Sequence, residues 1–93
     1  MKKIVWTDVA IDDLQNIHAY IARDSETYAQ ALILEIFNAV ERLEPFPKSG
    51  RIVPEFKKED TRELLFGNYR VIYDTAGSTI RRLAVIHGAR LLK

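Results

Sequence analysis

Ninety-three residues, 47% hydrophobic and 29% charged, suffice for one modest core and are too few for two, so a single domain spanning 1–93 is expected. No cysteine is present, which excludes disulfides, thiolate zinc sites and thiol nucleophiles and fits a reducing, cytoplasmic setting. The net charge of +1 is small for a protein that must hold many phosphates at physiological salt.

The chain opens with "KIVW" (3–6), a short apolar strand candidate. Lys2 and Lys3 precede an apolar stretch that Thr7 and Asp8 interrupt, so no secretory signal is read there. No run approaches the roughly 18 apolar residues of a membrane span. Thr7 offers an N-cap hydroxyl, with Asp8 placed to meet the helix dipole. Ala10, Leu14, Ile17 and Ile21 then recur at helical spacing, leaving Asp12, Asp13, Gln15 and Asn16 for the solvent side. "RDSE" breaks the pattern, and Ser25 is a second cap. Ala29, Leu32, Ile36, Val40 and Leu43 form a second stripe, ended by Pro45 and Pro47. So short a connection predicts an antiparallel helical hairpin.

After "PKSGR" the period changes from helical to alternating. "RELLF", "YRVIYD" and "TIRRLAVIH" read as three antiparallel strands joined by "GN" and "TAGS" turns. Pro54 restricts "RIVPEFKKED" to an edge strand or a loop. The predicted fold is α+β: an N-terminal strand, the helical hairpin, then a twisted antiparallel sheet with the hairpin on one face.

The two halves differ in charge. Residues 1–47 carry four Lys and Arg against eight carboxylates, a net of −4, whereas residues 48–93 carry ten against five, a net of +5. The basic half suits an acidic partner or nucleic acid. Along the last strand, alternation places Ile80, Arg82, Ala84 and Ile86 on one face and Arg81, Leu83, Val85 and His87 on the other. Arg62 opens one strand and Arg70 lies in the next. In a suitable register Arg62, Arg70, His87 and Arg90 would form one patch on the sheet surface the helices leave open. Guanidinium groups bind phosphate and stabilise charge developing on its oxygens. An imidazole exchanges protons near neutrality, and Glu55 is a candidate complementary base.

Structural readings stand beside these. Arg81, Arg82 and Lys93 suit plain solvation, and Arg70 also suits a cross-strand ion pair with Glu63 or Asp74. His18 reads as structural. Two distant histidines and no cysteine give no metal-ligand spacing. Trp6, Tyr20, Tyr28 and Phe37 read as core and hairpin packing, while Tyr69 and Tyr73 alternate beside arginines, as RNA-stacking residues do.

Taken in order, "KIVWTDVAIDDLQNIHAYIA", "LEPFPKSGRIVPE", "RELLFGNYRVIYD" and "LAVIHGARLL" resemble the RelE/ParE superfamily of bacterial toxins over nearly the whole chain. These are the toxins of type II toxin–antitoxin modules, some known as plasmid stabilisation proteins. The resemblance implies a helical hairpin on a twisted sheet, no cofactor, and a cognate antitoxin that wraps the toxin and silences it. RelE-like members cleave mRNA on the ribosome; ParE-like members poison DNA gyrase. Carried onto this chain, the nuclease set would be Arg62, Arg70 and His87 with Glu55. The wider binding set would be Arg51, Arg62, Arg70, His87 and Arg90. Gly88 stands where those nucleases tend to have an aromatic residue, and "HGARLL" resembles ParE-like endings more closely. The resemblance therefore implies a gyrase-directed toxin first and a ribosome-dependent endoribonuclease second.

Overall fold

The computed structural model describes residues 3–87. Strand β1 (Lys3–Trp6) leads into helix α1 (Asp8–Ala22) and helix α2 (Glu26–Glu41). Strands β2 (Arg51–Ile52), β3 (Thr61–Phe66), β4 (Tyr69–Asp74) and β5 (Thr79–His87) follow. Both expected caps form. The Thr7 hydroxyl accepts from the Ala10 N–H and the Ser25 hydroxyl from the Tyr28 N–H, each at 3.1 Å. Each satisfies a helix-start N–H that would otherwise lack a partner.

The sheet runs β1-β5-β4-β3-β2. Its last four strands are antiparallel, and β1 joins the other edge parallel to β5, from Lys3↔Thr79 to Trp6↔Arg82. The β3–β4 turn is Gly67-Asn68. Only the glycine has positive φ (55°), as a II′ hairpin turn requires. The segment after the helices supplies the two-residue edge strand β2 and then leaves the sheet at Val53, just before Pro54.

Between hairpin and sheet lies the main core. Leu14, Leu32, Ile36, Val40 and Leu43 pack against Phe66, Val71, Tyr73, Ile80 and Val85. Ile80 and Val85 are an odd number of residues apart, yet both enter this core. A bulge explains it: Ile72 pairs with Ala84 but Tyr73 pairs with Arg82, so β5 carries one extra residue at Leu83 and its alternation flips there. The uninterrupted alternation expected along β5 is thereby corrected. Ala84 and Ile86 lie on the second face of the sheet, which is partly covered. Val53 packs there with Ile72 and Ile86 in a second small cluster, while Leu65 on the same face stays exposed.

The aromatic residues divide. Trp6 is half-buried against the core and packs on Phe37 with ring centroids 4.9 Å apart, but Phe37 itself stays exposed and is not a core residue. Tyr20 and Tyr28 do not belong to the core; both are exposed, because they lie off the stripes of their helices. Asp13 departs from expectation in the opposite sense. It is half-buried, and its carboxylate accepts from the Val85 N–H across 72 residues of chain. No helix among the described residues is long and apolar enough to cross a membrane.

Candidate functional site

The register of β3 and β4 decides where the arginines go. Arg62 stands opposite Tyr73, and Arg70 stands opposite Leu65. Three positions separate the two arginines along the paired strands, an odd number, so they emerge on opposite faces. Arg62 lies on the hairpin side at the β2 edge. There its Nε donates to the Glu59 carbonyl at 2.7 Å and its Nη1 to the Gly50 carbonyl at 3.2 Å. Arg70 lies on the second face. The shared patch of Arg62 and Arg70 expected from the sequence does not form, because alternation separates them.

Arg70 instead joins Glu55, Glu63 and Arg51. Its Nη1 and Nη2 grip both oxygens of Glu55 at 2.6 and 2.8 Å, a bidentate pair, and its Nε donates to Glu63 Oε1 at 2.6 Å. The Nε of Arg51 holds the other oxygen of Glu63. The Glu63 side chain is 0% exposed and that of Arg70 7%, against 18% for Glu55 and 56% for Arg51. Two cations and two anions thus cancel. Bonding to Glu55 raises the Arg70 pKa above the ordinary arginine value; burial opposes this, and the Glu63 bond and both negative charges reinforce it. A guanidinium held on three nitrogens by carboxylates has little left to offer a phosphate. Of the sequence alternatives for Arg70, the ion pair with Glu63 forms.

The approach of Glu55 depends on a tight turn. The N–H groups of Phe56 and Lys57 both donate to the Val53 carbonyl, at 3.2 and 3.0 Å, and Lys57 takes a left-handed φ of 54°. This turn folds Glu55 back onto β4 and sets Val53 over Ile72 and Ile86. Gly50 provides a second anchor. Its N–H donates to Tyr73 Oη at 3.0 Å, so the buried Tyr73 is bound internally and does not offer its ring for base stacking. Burial raises the Tyr73 pKa, partly offset by the Gly50 bond and the nearby Arg62 charge.

His87 ends β5 with its backbone opposite Tyr69, and Arg90 lies outside the described residues. Of the expected site, the structure brings Arg51, Glu55 and Arg70 together and places Arg62 apart. Two participants were missed. The sequence offers Glu63 only as a partner for Arg70, although a lone carboxylate in the otherwise apolar run after Arg62 is the signal. Asp13 was assigned to solvent, although it lies three residues after Ala10 and four before Ile17, beside the buried stripe. Among the described residues no cluster of His, Asp and Glu could hold a metal ion.

Comparison with known proteins agrees with the fold. The chain is 30% identical to toxin RelE2 of Caulobacter vibrioides over 91 residues, covering 98% of this chain and all of that one. Its fold is similar to that in the chromosomal ParDE toxin–antitoxin system of P. aeruginosa, with a TM-score of 0.75 and 21% identity, covering 94% of this chain and 96% of that one. It is also similar to the RelBE2 toxin–antitoxin complex of Mycobacterium tuberculosis, with a TM-score of 0.56 and 22% identity, covering 92% and 96%. A family model described as the ParE toxin of the type II toxin–antitoxin system parDE matches residues 4–92. With that match over nearly its whole length, the hairpin-on-sheet chain belongs to the ParE toxin family of type II toxin–antitoxin systems.

Proposed function

We propose that this toxin acts by binding, as an inhibitor of DNA gyrase, and that a cognate antitoxin silences it. The observation that carries this reading is the neutralised tetrad. Three of the four residues of the nuclease set are committed elsewhere: Arg70 and Glu55 to each other, and Arg62 to two main-chain carbonyls on the opposite face. A general base gripped bidentately by a buried guanidinium is poorly placed to take a proton from a ribose hydroxyl. The ParE description of the matching family supports the same target.

The antitoxin partner is supported by the similar folds, which come from toxin–antitoxin assemblies. A groove between α1 and α2, lined by Ile11, Leu14, His18, Ile33 and Phe37, offers apolar surface for an amphipathic antitoxin segment. One observation favours a second reading, ribosome-dependent mRNA cleavage: the relative at 30% identity is a toxin named RelE2.

A single pair of assays separates the two. Purified toxin should block supercoiling by bacterial DNA gyrase, and its induction should trigger the SOS response with messages left intact. Intact gyrase activity together with rapidly cleaved messages would reverse the assignment.

A further inference from the structure

We infer that Asp13 is a positioning residue for the functional end of β5, the end that carries His87. The inference rests on the proposed binding function together with the sequence expectation that His87 belongs to the binding set. Strand β1 flanks β5 only as far as Trp6↔Arg82. The bulge at Leu83 follows at once, and from Ala84 onward β5 is paired on one side only, to β4. In an antiparallel pair, successive residues turn their backbone groups alternately toward and away from the partner strand. Val85 turns away from β4, and its N–H is met by Asp13 Oδ2 at 2.9 Å. A helix carboxylate therefore does here what a neighbouring strand does for the first half of β5.

Three features make this more than surface solvation. The bond is charge-assisted and joins helix to strand, so it resists lifting of the strand away from α1. It falls two residues before His87, where β5 would otherwise fray at a one-sided edge. It also connects the two layers at a cleft lined by Asn16, Tyr20, Asn68 and Tyr69, where apolar packing against α1 is interrupted by polar side chains. Asp13 thereby couples the pose of α1 to the last residues of β5.

The test compares Asp13→Ala, which removes the acceptor, with Asp13→Asn, which keeps a side-chain oxygen at the same place. Tyr73→Phe serves as a control that lowers stability at the opposite, β2 edge of the sheet. In Asp13→Ala the Val85 amide should exchange with solvent about tenfold faster while the amides of Leu64 and Val71 keep their wild-type protection. Growth arrest on induction should then require about tenfold more toxin than for the wild type. Asp13→Asn should restore most of both, and Tyr73→Phe should leave Val85 exchange unchanged relative to Val71. Unchanged Val85 exchange in Asp13→Ala overturns the inference. So does faster exchange with growth arrest equal to wild type, or a loss of potency that Tyr73→Phe reproduces at equal melting temperature. Wild-type toxin that leaves purified gyrase active defeats the target reading alone, because the exchange and growth-arrest comparisons still decide the role of Asp13.

Discussion

Arg70→Met removes the central cation of the tetrad while keeping most of its apolar stem. In the wild type Arg70 faces Glu63, which is fully buried, and Glu55, which is mostly so. Two unit charges about 4 Å apart attract by about 4 kcal/mol at an effective dielectric constant of about 20. Breaking a buried pair by removing one partner typically costs about 3–5 kcal/mol, because the other charge stays behind uncompensated. Arg51 still holds one oxygen of Glu63, so the lower half of that range, about 3 kcal/mol, is expected here. For a domain of this size that is a large share of a total stability of roughly 5–10 kcal/mol. Urea unfolding followed by circular dichroism measures it. The triple replacement Arg70→Met, Glu63→Leu and Glu55→Gln should recover most of the loss, since apolar residues of similar volume replace such networks at little cost. Folded Arg70→Met protein should still inhibit the target. A stability loss below about 1 kcal/mol would refute the electrostatic reasoning. Full stability with abolished toxicity would show that Arg70 contacts the target instead.

Other consequences follow from the same geometry. Gly50→Ala should cost about 2–3 kcal/mol, because a Cβ there would overlap Tyr73 Oη and lie 2.6 Å from the Glu63 carbonyl oxygen; chemical denaturation checks this. Tyr73→Phe should cost about 1–3 kcal/mol by stranding the buried Gly50 N–H. The Tyr73 pKa is raised in the folded state, so its contribution is complete below the ordinary tyrosine value and is lost as pH rises through the folded value. Phenolate absorbance should accordingly show one tyrosine ionising later than the rest. Lys57→Gly should raise stability by about 0.5–1 kcal/mol, since a lysine is held at a φ of 54° where glycine is unstrained; an unchanged or lower melting temperature would argue against that strain.

Local chemistry was legible in the linear chain. Thr7 and Ser25 cap helices because a hydroxyl ahead of an apolar-periodic run has few better uses, and Pro45 and Pro47 stop the second run for covalent reasons. The alternation of "RELLF" and "YRVIYD" about Gly67-Asn68 gave the hairpin. Glu55 and Arg70 stood out as candidates from their residue types and Arg51 from the family resemblance, and the three meet through Glu63.

What one-dimensional reading could not supply was relative placement. Whether Arg62 and Arg70 share a face depends on the parity of a cross-strand register. The face occupied by Val85 depends on a single extra residue at Leu83, which leaves no mark in composition or period. Asp13 looked like a solvated helix residue because its partner is a backbone N–H 72 positions away. Short-range sequence determines caps, turns and periods because those energies depend on neighbours along the chain. Pairing of charges across elements depends on distances that exist only once the sheet has closed, and only the tertiary structure turned a set of apparent anion-binding arginines into a neutral internal network.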